Sequence, residues 1–304
     1  MDKIIIDGYG LAFRSHYAHS TLQTFKGLFS GCIYGFLVGA RGLKKRNPGC
    51  HITIAWDNDS SRRKKVYAGY KANRPGMMFG EQIADLKRIF YTVNVAQIEY
   101  PGEEADDVIA TFVSQFKGDD GKIFIYSADK DLLQLVEDGK VIMIRPSSGK
   151  TNEKFFDEEL VKKEYNIAPK EMKAFLALRG DTADNIPGAY RIRSALLIDL
   201  LRKYEEPLAI FDHLHEETLT DYERTTLAAF REQVIVNLEL VALREDLDMK
   251  IINGVPDIDK LAGLLDKYEI KSIKPQAFVD AFTDMPTHMI KKGPAIQSYS
   301  LFEE

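Results

Sequence analysis

The sequence predicts an α/β protein: a mainly parallel sheet flanked by helices, followed by a helical region. Three observations carry this. Short β-branched runs alternate with amphipathic segments along the first 150 residues, the pattern of strand–helix–strand units. Three of those runs deliver an aspartate just past their ends (Asp7, Asp57 and Asp129), and ligands of such sheets sit beyond the carboxyl ends of the strands. After about residue 155 the strand signals stop and helical periodicity takes over.

Taken in order, Ile4-Ile5-Ile6 reads as a buried strand running into a loop at Asp7 and Gly8. Ser30 is placed to cap a helix through about Lys45, with Ile33, Phe36, Leu37 and Ala40 on one face. Ile52 to Trp56 is a second strand, ending in Asp57. Residues 58–80 are polar, basic and glycine-containing, and read as a loop or a conditional helix. An amphipathic helix over 81–92 precedes a short strand at Val95–Glu99. Helix 104–116, strand Lys122–Ser127, a short helix from Lys130 to Val136 and a strand at Val141–Ile144 follow. Pro146-Ser147-Ser148-Gly149 marks a turn and places a boundary near 150–156, so that 1–155 forms one unit and 156–292 another. Helices are expected at 157–165, 169–179, 195–204, 221–237 and 257–267. From Gly293 to residue 304 the chain reads as a flexible tail.

A chain of 304 residues holds one large domain or two ordinary ones, and 45% hydrophobic residues support a substantial core. The net charge of −5 argues against a generally basic nucleic-acid binder, but charge is segregated. Residues 60–80 hold Arg62, Arg63, Lys64, Lys65, Lys71 and Arg74 and no acid. By itself such a run is a solvated face or a phosphate-binding stretch. Cys32 and Cys50 lack zinc-ligand spacing and read as core residues of a reducing compartment. With no long apolar span and no signal-peptide pattern, a cytoplasmic protein without membrane contact is expected.

The chemistry is carried by acids. Glu104, Asp106 and Asp107 open one helix, Asp129 and Asp131 follow one strand, and Asp181 and Asp184 precede Asn185-Ile186-Pro187-Gly188. Each group has a plainer reading. Acids suit a helix N-terminus, aspartate is a common cap, and the last group resembles an ordinary turn. Their conjunction with Asp7 and Asp57 at one sheet edge favours a metal centre. Crowded carboxylates need a compensating cation, and hard oxygen ligands favour Mg²⁺ or Mn²⁺. Two such ions a few ångströms apart are the usual apparatus for hydrolysing phosphodiesters.

These blocks resemble the 5′-nucleases, which include flap endonucleases and the 5′–3′ exonuclease domain of bacterial DNA polymerase I. The resemblance runs through Ile4–Gly8, Trp56-Asp57, Tyr70–Arg74, Glu104–Asp107, Ser127–Gln134 and Gly180–Gly188, in order. It implies a PIN-like 5′-nuclease core with a helical arch at about 58–92 and a helix-turn-helix in the helical region. Asp7, Asp57, Glu104 and Asp106 would hold a first ion, and Asp129, Asp131 and Asp184 a second. Asp106 would lie near both, with Asp107 and Asp181 as outer ligands. Lys71 and Arg74 match phosphate-contacting positions, Arg14 would face the site, and Arg62, Arg63, Lys64 and Lys65 would line the arch. Tyr70 would stack on a base near the cut or simply pack, and Met77, Met78 and Phe79 would form an apolar lip.

In one turn the sequence departs from the family. Relatives follow Asn-Ile-Pro-Gly with Gly-Ile-Gly-x-Lys, whose amides cradle duplex phosphate together with a monovalent cation. Here Arg191 and Arg193 replace both glycines and Ala195 the lysine. Arginine suits neither a positive φ nor close backbone approach, which calls the cradle and its cation into question. Direct phosphate contact by the two guanidinium groups takes their place, against the alternative of solvent-facing arginines. The tail, Gln297 to Phe302, is similar to glutamine-initiated peptides that bind sliding clamps through a terminal Leu-Phe pair, here Leu301-Phe302. A stand-alone, monomeric, two-metal 5′ nuclease of replication or repair is thus expected, acting on branched or 5′-ended DNA and on RNA–DNA hybrids. The alternatives are a flap-binding protein of weak catalysis and a PIN-type ribonuclease.

Overall fold

Three consecutive isoleucines lie at the centre of the molecule. In the structure, a computed structural model that describes residues 1–74, 79–147 and 152–283, they belong to strand β1 (Lys3–Asp7). Successive side chains of a strand point to opposite faces. Ile5 therefore joins one core cluster while Ile4 and Ile6 join another. A strand covered on both faces carries no polar alternation, which is why the run is uninterrupted.

Around β1 the chain adds α1 (Gly8–Ala18), α2 (Gly31–Arg46), β2 (His51–Ala55), α3 (Ser61–Val66) and α4 (Gly80–Thr92). It continues through β3 (Ala96–Ile98), α5 (Ala105–Phe116), β4 (Ile123–Tyr126), a 3₁₀ turn at Lys130–Leu135 and β5 (Val141–Arg145). Then come β6 (Lys154–Phe156), α6 (Glu158–Tyr165), α7 (Met172–Arg179), α8 (Ser194–Tyr204), α9 (Pro207–Asp212) and α10 (Asp221–Leu240). β7 (Ile251–Ile252), α11 (Ile258–Lys267) and α12 (Pro275–Thr283) complete the described chain. The sheet order is β6-β5-β4-β1-β2-β3-β7. Its inner pairings are parallel, and only the edge strands β6 and β7 run antiparallel. In register, Asp7 lies beside Ala55 and Ile6 beside Tyr126. The carboxyl ends of β1, β2 and β4 therefore form one rim.

Helices α5, α7, α8 and α10 cover the Ile5 face, through residues such as Ile109, Leu176, Leu197 and Val234. Helices α1, α2 and α4 cover the other, and α11 and α12 return to it: Leu261, Phe278 and Phe282 pack with Phe36 and Phe90. One core runs from Ile5 to Leu247, so the position 155/156 interrupts no core. The edge strands were not legible because three and two residues are too few to show a period.

Two segments differ from the sequence-based expectation. A helix, α1, replaces the loop expected after β1, because Asp7 caps it: its Oδ1 accepts the Gly10 amide at 2.8 Å. Among the described residues of 58–79, Ser61–Val66 is the helical part, followed by a run of turns to residue 74. Met77 and Met78 lie outside the described residues. Phe79 is buried, its ring 4.8 Å from those of both Phe13 and His16. Among the described residues no helix is long and apolar enough to cross a membrane.

Candidate metal centre

The rim collects acids because parallel strands end together. Asp7 closes β1, its Oδ1 held by the Gly10 amide and its Oδ2 accepting from Ser127 Oγ at 2.8 Å. Asp57 follows β2 and accepts the Ala105 amide at 2.7 Å, so it caps α5 across the rim. Glu104 and Asp106 sit at the start of that helix. Asp129 follows β4, with its amide on Ser127 Oγ at 3.0 Å and its Oδ1 accepting the Asp131 amide at 2.9 Å. Ser127 thus ties two acids together. The sequence placed it inside a motif but gave no sign of that role.

Asp181 and Asp184 arrive from the loop between α7 and α8. Its shape depends on Gly180, at φ 73°, where a Cβ would collide with the backbone of Pro187 and Gly188. Paired amides between Asp181 and Ile186 close the loop, at 2.9 and 2.7 Å. Carboxylate oxygens of Asp131, Asp181 and Asp184 all lie within 4.8 Å of one another. Asp131 Oδ1 is buried and has no hydrogen-bond partner. A buried acceptor left unmade is costly, and beside two further carboxylates it suits a hard cation.

Electrostatics bind the two ends into one cluster. Burial, then the charge of Asp129, drives the Asp106 carboxyl well above the usual range. Burial, then Asp129, Asp181 and Asp184, does the same to Asp131. Asp7 and Asp129 are also raised, chiefly by burial. Asp57 is pushed from 3.8 up to about 6 by burial, Asp7 and Glu104, against the Ala105 amide and Lys71. A carboxyl raised on folding stabilises the protein fully below its unfolded value, and that stability is lost as pH rises through the folded one. The metal-free protein should therefore lose about 3 kcal/mol through Asp57 alone between about pH 4 and 7. Thermal melts across that range check this, and saturating Mg²⁺ should abolish the decline.

Among the described residues, three cations besides Arg63, which meets Glu104, lie against the acids. Lys71 Nζ is 2.7 Å from Glu104 Oε1 and 3.7 Å from Asp184 Oδ2. Arg74 pairs with Asp184, and Lys130 Nζ lies 3.2 Å from Asp181 Oδ2.

Three expectations are corrected, and at Tyr70 the packed alternative is the one found. Asp107 does not join the cluster: wholly buried, it pairs with Arg62 and Arg63 and accepts the Arg244 amide at 2.9 Å. Arg62 does not stand free along the basic run: Glu103 at 2.7 Å and Asp107 at 3.0 Å hold it. Arg63 is buried, bonded also to Glu104 at 3.1 Å and to the Leu240 and Ala242 carbonyls at 2.8 and 3.2 Å. Tyr70 offers no face to a base; it is 3% exposed, with its hydroxyl 2.9 Å from Glu104 and 3.0 Å from Asp184. Lys64 and Lys65 are exposed on α3, and Arg14 is half-buried on α1. Arg191 adopts φ 55° despite its side chain and stacks over Tyr190, with 4.9 Å from guanidinium to ring centre. Arg193, exposed, lies 3.8 Å from Glu223.

Such a rim, on such a sheet, belongs to the metal-dependent nucleases. Comparison with known proteins narrows the class. A family described as "5'-3' exonuclease, N-terminal resolvase-like domain" matches residues 2–166. A 5′-3′ exonuclease of Aquifex aeolicus is 34% identical over 277 residues, covering 88% of this chain and 92% of its own length. DNA polymerase I of Caldicellulosiruptor bescii is 31% identical over 94% of this chain, which spans 36% of that polymerase. The bacteriophage T5 D15 flap endonuclease, in a complex with DNA and metal ions, superposes with a TM-score of 0.63 at 19% identity, covering 93% of this chain and 98% of its own. The chain belongs to the 5′–3′ exonuclease family.

Proposed function

We propose that the protein is a structure-specific 5′ nuclease that hydrolyses phosphodiesters at flaps and 5′ ends of DNA, and of RNA–DNA hybrids, with two Mg²⁺ or Mn²⁺ ions. The observation that carries this reading is the buried, unpartnered Asp131 oxygen in a residue clustered with Asp181 and Asp184, beside Asp7, Asp57, Asp106 and Asp129, which have no ion-pair partner among the described residues. Asp7, Asp57, Glu104 and Asp106 would hold one ion; Asp129, Asp131 and Asp184 the other, with Asp106 near both and Asp181 behind them. Bound divalent ions would acidify a water and neutralise charge on the scissile phosphate.

The chain's own residues do the rest. Ser127 fixes Asp7 and Asp129 relative to each other, and the Ala105 amide fixes Asp57. Lys71 and Arg74 would meet the phosphate. Arg14, Lys64 and Lys65 would bear on the single strand, and Arg191 and Arg193 on the duplex. Each phosphate neutralised contributes about 0.9 to the salt slope of binding. A double Arg191→Ala, Arg193→Ala variant should flatten that slope by about 1.8, measured by anisotropy on a nicked duplex; an unchanged slope would reject direct contact. Action as a monomer in replication or repair, and a sliding-clamp partner taken up by Gln297, Leu301 and Phe302, complete the proposal; those three residues lie outside the described ones.

The test is cleavage of a 5′-labelled flap, a nicked duplex and an RNA–DNA hybrid with Mg²⁺, Mn²⁺ or chelator. Metal-dependent release of the flap supports the reading. Cleavage of single-stranded RNA alone would favour a PIN-type ribonuclease, and binding without cleavage a flap-binding protein.

A further inference from the structure

The acids divide into two electrostatic classes. Among the described residues, Asp7, Asp57, Asp106, Asp129 and Asp131 have no ion-pair partner, whereas Glu104 and Asp184 are fully engaged. Glu104 Oε1 accepts Lys71 at 2.7 Å, and its Oε2 faces Arg63 at 3.1 Å and Tyr70 at 2.9 Å. Asp184 Oδ1 is taken by Arg74, and its Oδ2 by Tyr70 at 3.0 Å with Lys71 at 3.7 Å. A divalent ion binds through carboxylate lone pairs and repels any cation beside it. At Asp184 that repulsion falls on Arg74 and Lys71.

We infer that Lys71 and Arg74 are displaceable internal counter-ions. They neutralise Glu104 and Asp184 in the metal-free protein, and entry of a divalent ion at Asp184 evicts them, presenting both cations to the substrate phosphate. The inference rests on the metal-centre reading above and adds to it an order of events. The site built mainly of unpaired acids, around Asp7, Asp57 and Asp106, loads first. The Asp184 end loads second, in exchange for the two cations, so the phosphate-binding charges become available only on a loaded centre.

The surrounding contacts limit how far the movement spreads. Upstream, Arg63 is anchored by Asp107, Glu104 and two α10-end carbonyls, which fixes α3. Downstream, residues 69–74 hold the 181–185 loop by a few contacts. The Lys71 amide meets Asp184 O at 2.9 Å, Asn73 Nδ2 meets Thr182 O at 2.9 Å, and Asn185 Nδ2 meets Gly69 O at 2.6 Å. Two of these grip the backbone beside the evicted pairs. Losing the ion pairs therefore loosens 69–74 and leaves α3 in place.

Mn²⁺ titration calorimetry of the full chain, paired with amide hydrogen exchange, tests this. Wild type should bind in a tighter and a weaker step. Arg74→Ala should strengthen the weaker step about tenfold and leave the tighter step unchanged. Lys71→Ala should strengthen the weaker step about tenfold and the tighter step as well, because Lys71 also holds Glu104, and Arg74→Lys should restore wild-type affinity. At saturating Mn²⁺ the Lys71 and Arg74 amides should exchange at least tenfold faster than without metal, with α3 unchanged. In Asp131→Asn that response should move to higher Mn²⁺ concentration. Exchange at 71 and 74 that ignores saturating Mn²⁺, or a weaker step unmoved in both alanine variants, overturns the proposal while leaving the metal centre standing. A wild type that takes up no Mn²⁺ overturns both.

Discussion

Asparagine at position 129 should cut flap cleavage by about a thousandfold, about 4 kcal/mol of transition-state stabilisation, and leave the fold intact. The side chain sits where the two groups of acids meet. Burial, then repulsion from Asp184 and Asp7, raises its proton affinity, and a divalent ion relieves that repulsion. Asparagine keeps the oxygen that accepts the Asp131 amide at 2.9 Å and leaves the Asp129 amide on Ser127. Only the charge is lost. The metal-free variant should melt higher than the metal-free wild type, because one repelling carboxylate is gone, and should gain less from Mg²⁺. Single-turnover cleavage of a 5′-labelled flap and melting with and without Mg²⁺ measure the two effects. Wild-type turnover would remove Asp129 from the centre.

Arg63→Ala should destabilise the protein by about 3 kcal/mol, toward the lower end of the range for breaking a buried ion pair. Burial opposes the Arg63 charge, but Asp107 and Glu104 outweigh it and keep the guanidinium protonated. Without it, the wholly buried Asp107 keeps Arg62 at 3.0 Å and the Arg244 amide, while the Leu240 and Ala242 carbonyls lose their donor. Those remaining partners place the cost at the lower end. Lysine cannot reproduce the fork that spans Asp107 and two carbonyls, so Arg63→Lys should recover little. A double Arg63→Met, Asp107→Leu variant removes both charges together and should regain part of the loss, as replaced buried pairs often do. Denaturant unfolding of the three variants decides the matter; an Arg63→Ala curve within 0.5 kcal/mol of wild type, roughly the range of surface substitutions, would show the network to be incidental.

The two examples mark what the sequence made legible. Asp7, Asp57 and Asp129 could be placed because strand ends are local features, and parallel strands bring local features to one edge. The isoleucine run declared a doubly covered strand for the same reason. Asp107 was misassigned because the deciding partners are remote. Its neighbours Glu104 and Asp106 face the rim, while Arg62, Arg63 and the Arg244 amide claim it from 45, 44 and 137 residues away. Spacing along a helix tells which acids share a face, not what that face meets. Arg62 and Arg63 suffered the converse error: a basic run looks the same whether it waits for phosphate or is already paired with Glu103 and Asp107. The two readings of Tyr70, stacking on a base or packing, could not be separated because nothing near it in sequence announces that Glu104 and Asp184 enclose its hydroxyl. The short strands β6 and β7 were invisible because the sheet, rather than their own composition, makes them strands.

The return of α11 and α12 to the first-built face sets a schedule for synthesis. Phe36 and Phe90 emerge from the ribosome long before Phe278 and Phe282, whose rings pack on and beside Phe90 at 6.3 and 6.1 Å. Until translation reaches that point the nascent chain carries an uncovered apolar surface, of the kind that invites self-association or chaperone capture. The acidic rim is spelled out early, yet the face behind it is sealed only by α11 and α12, the latter nearly two hundred residues after Phe90.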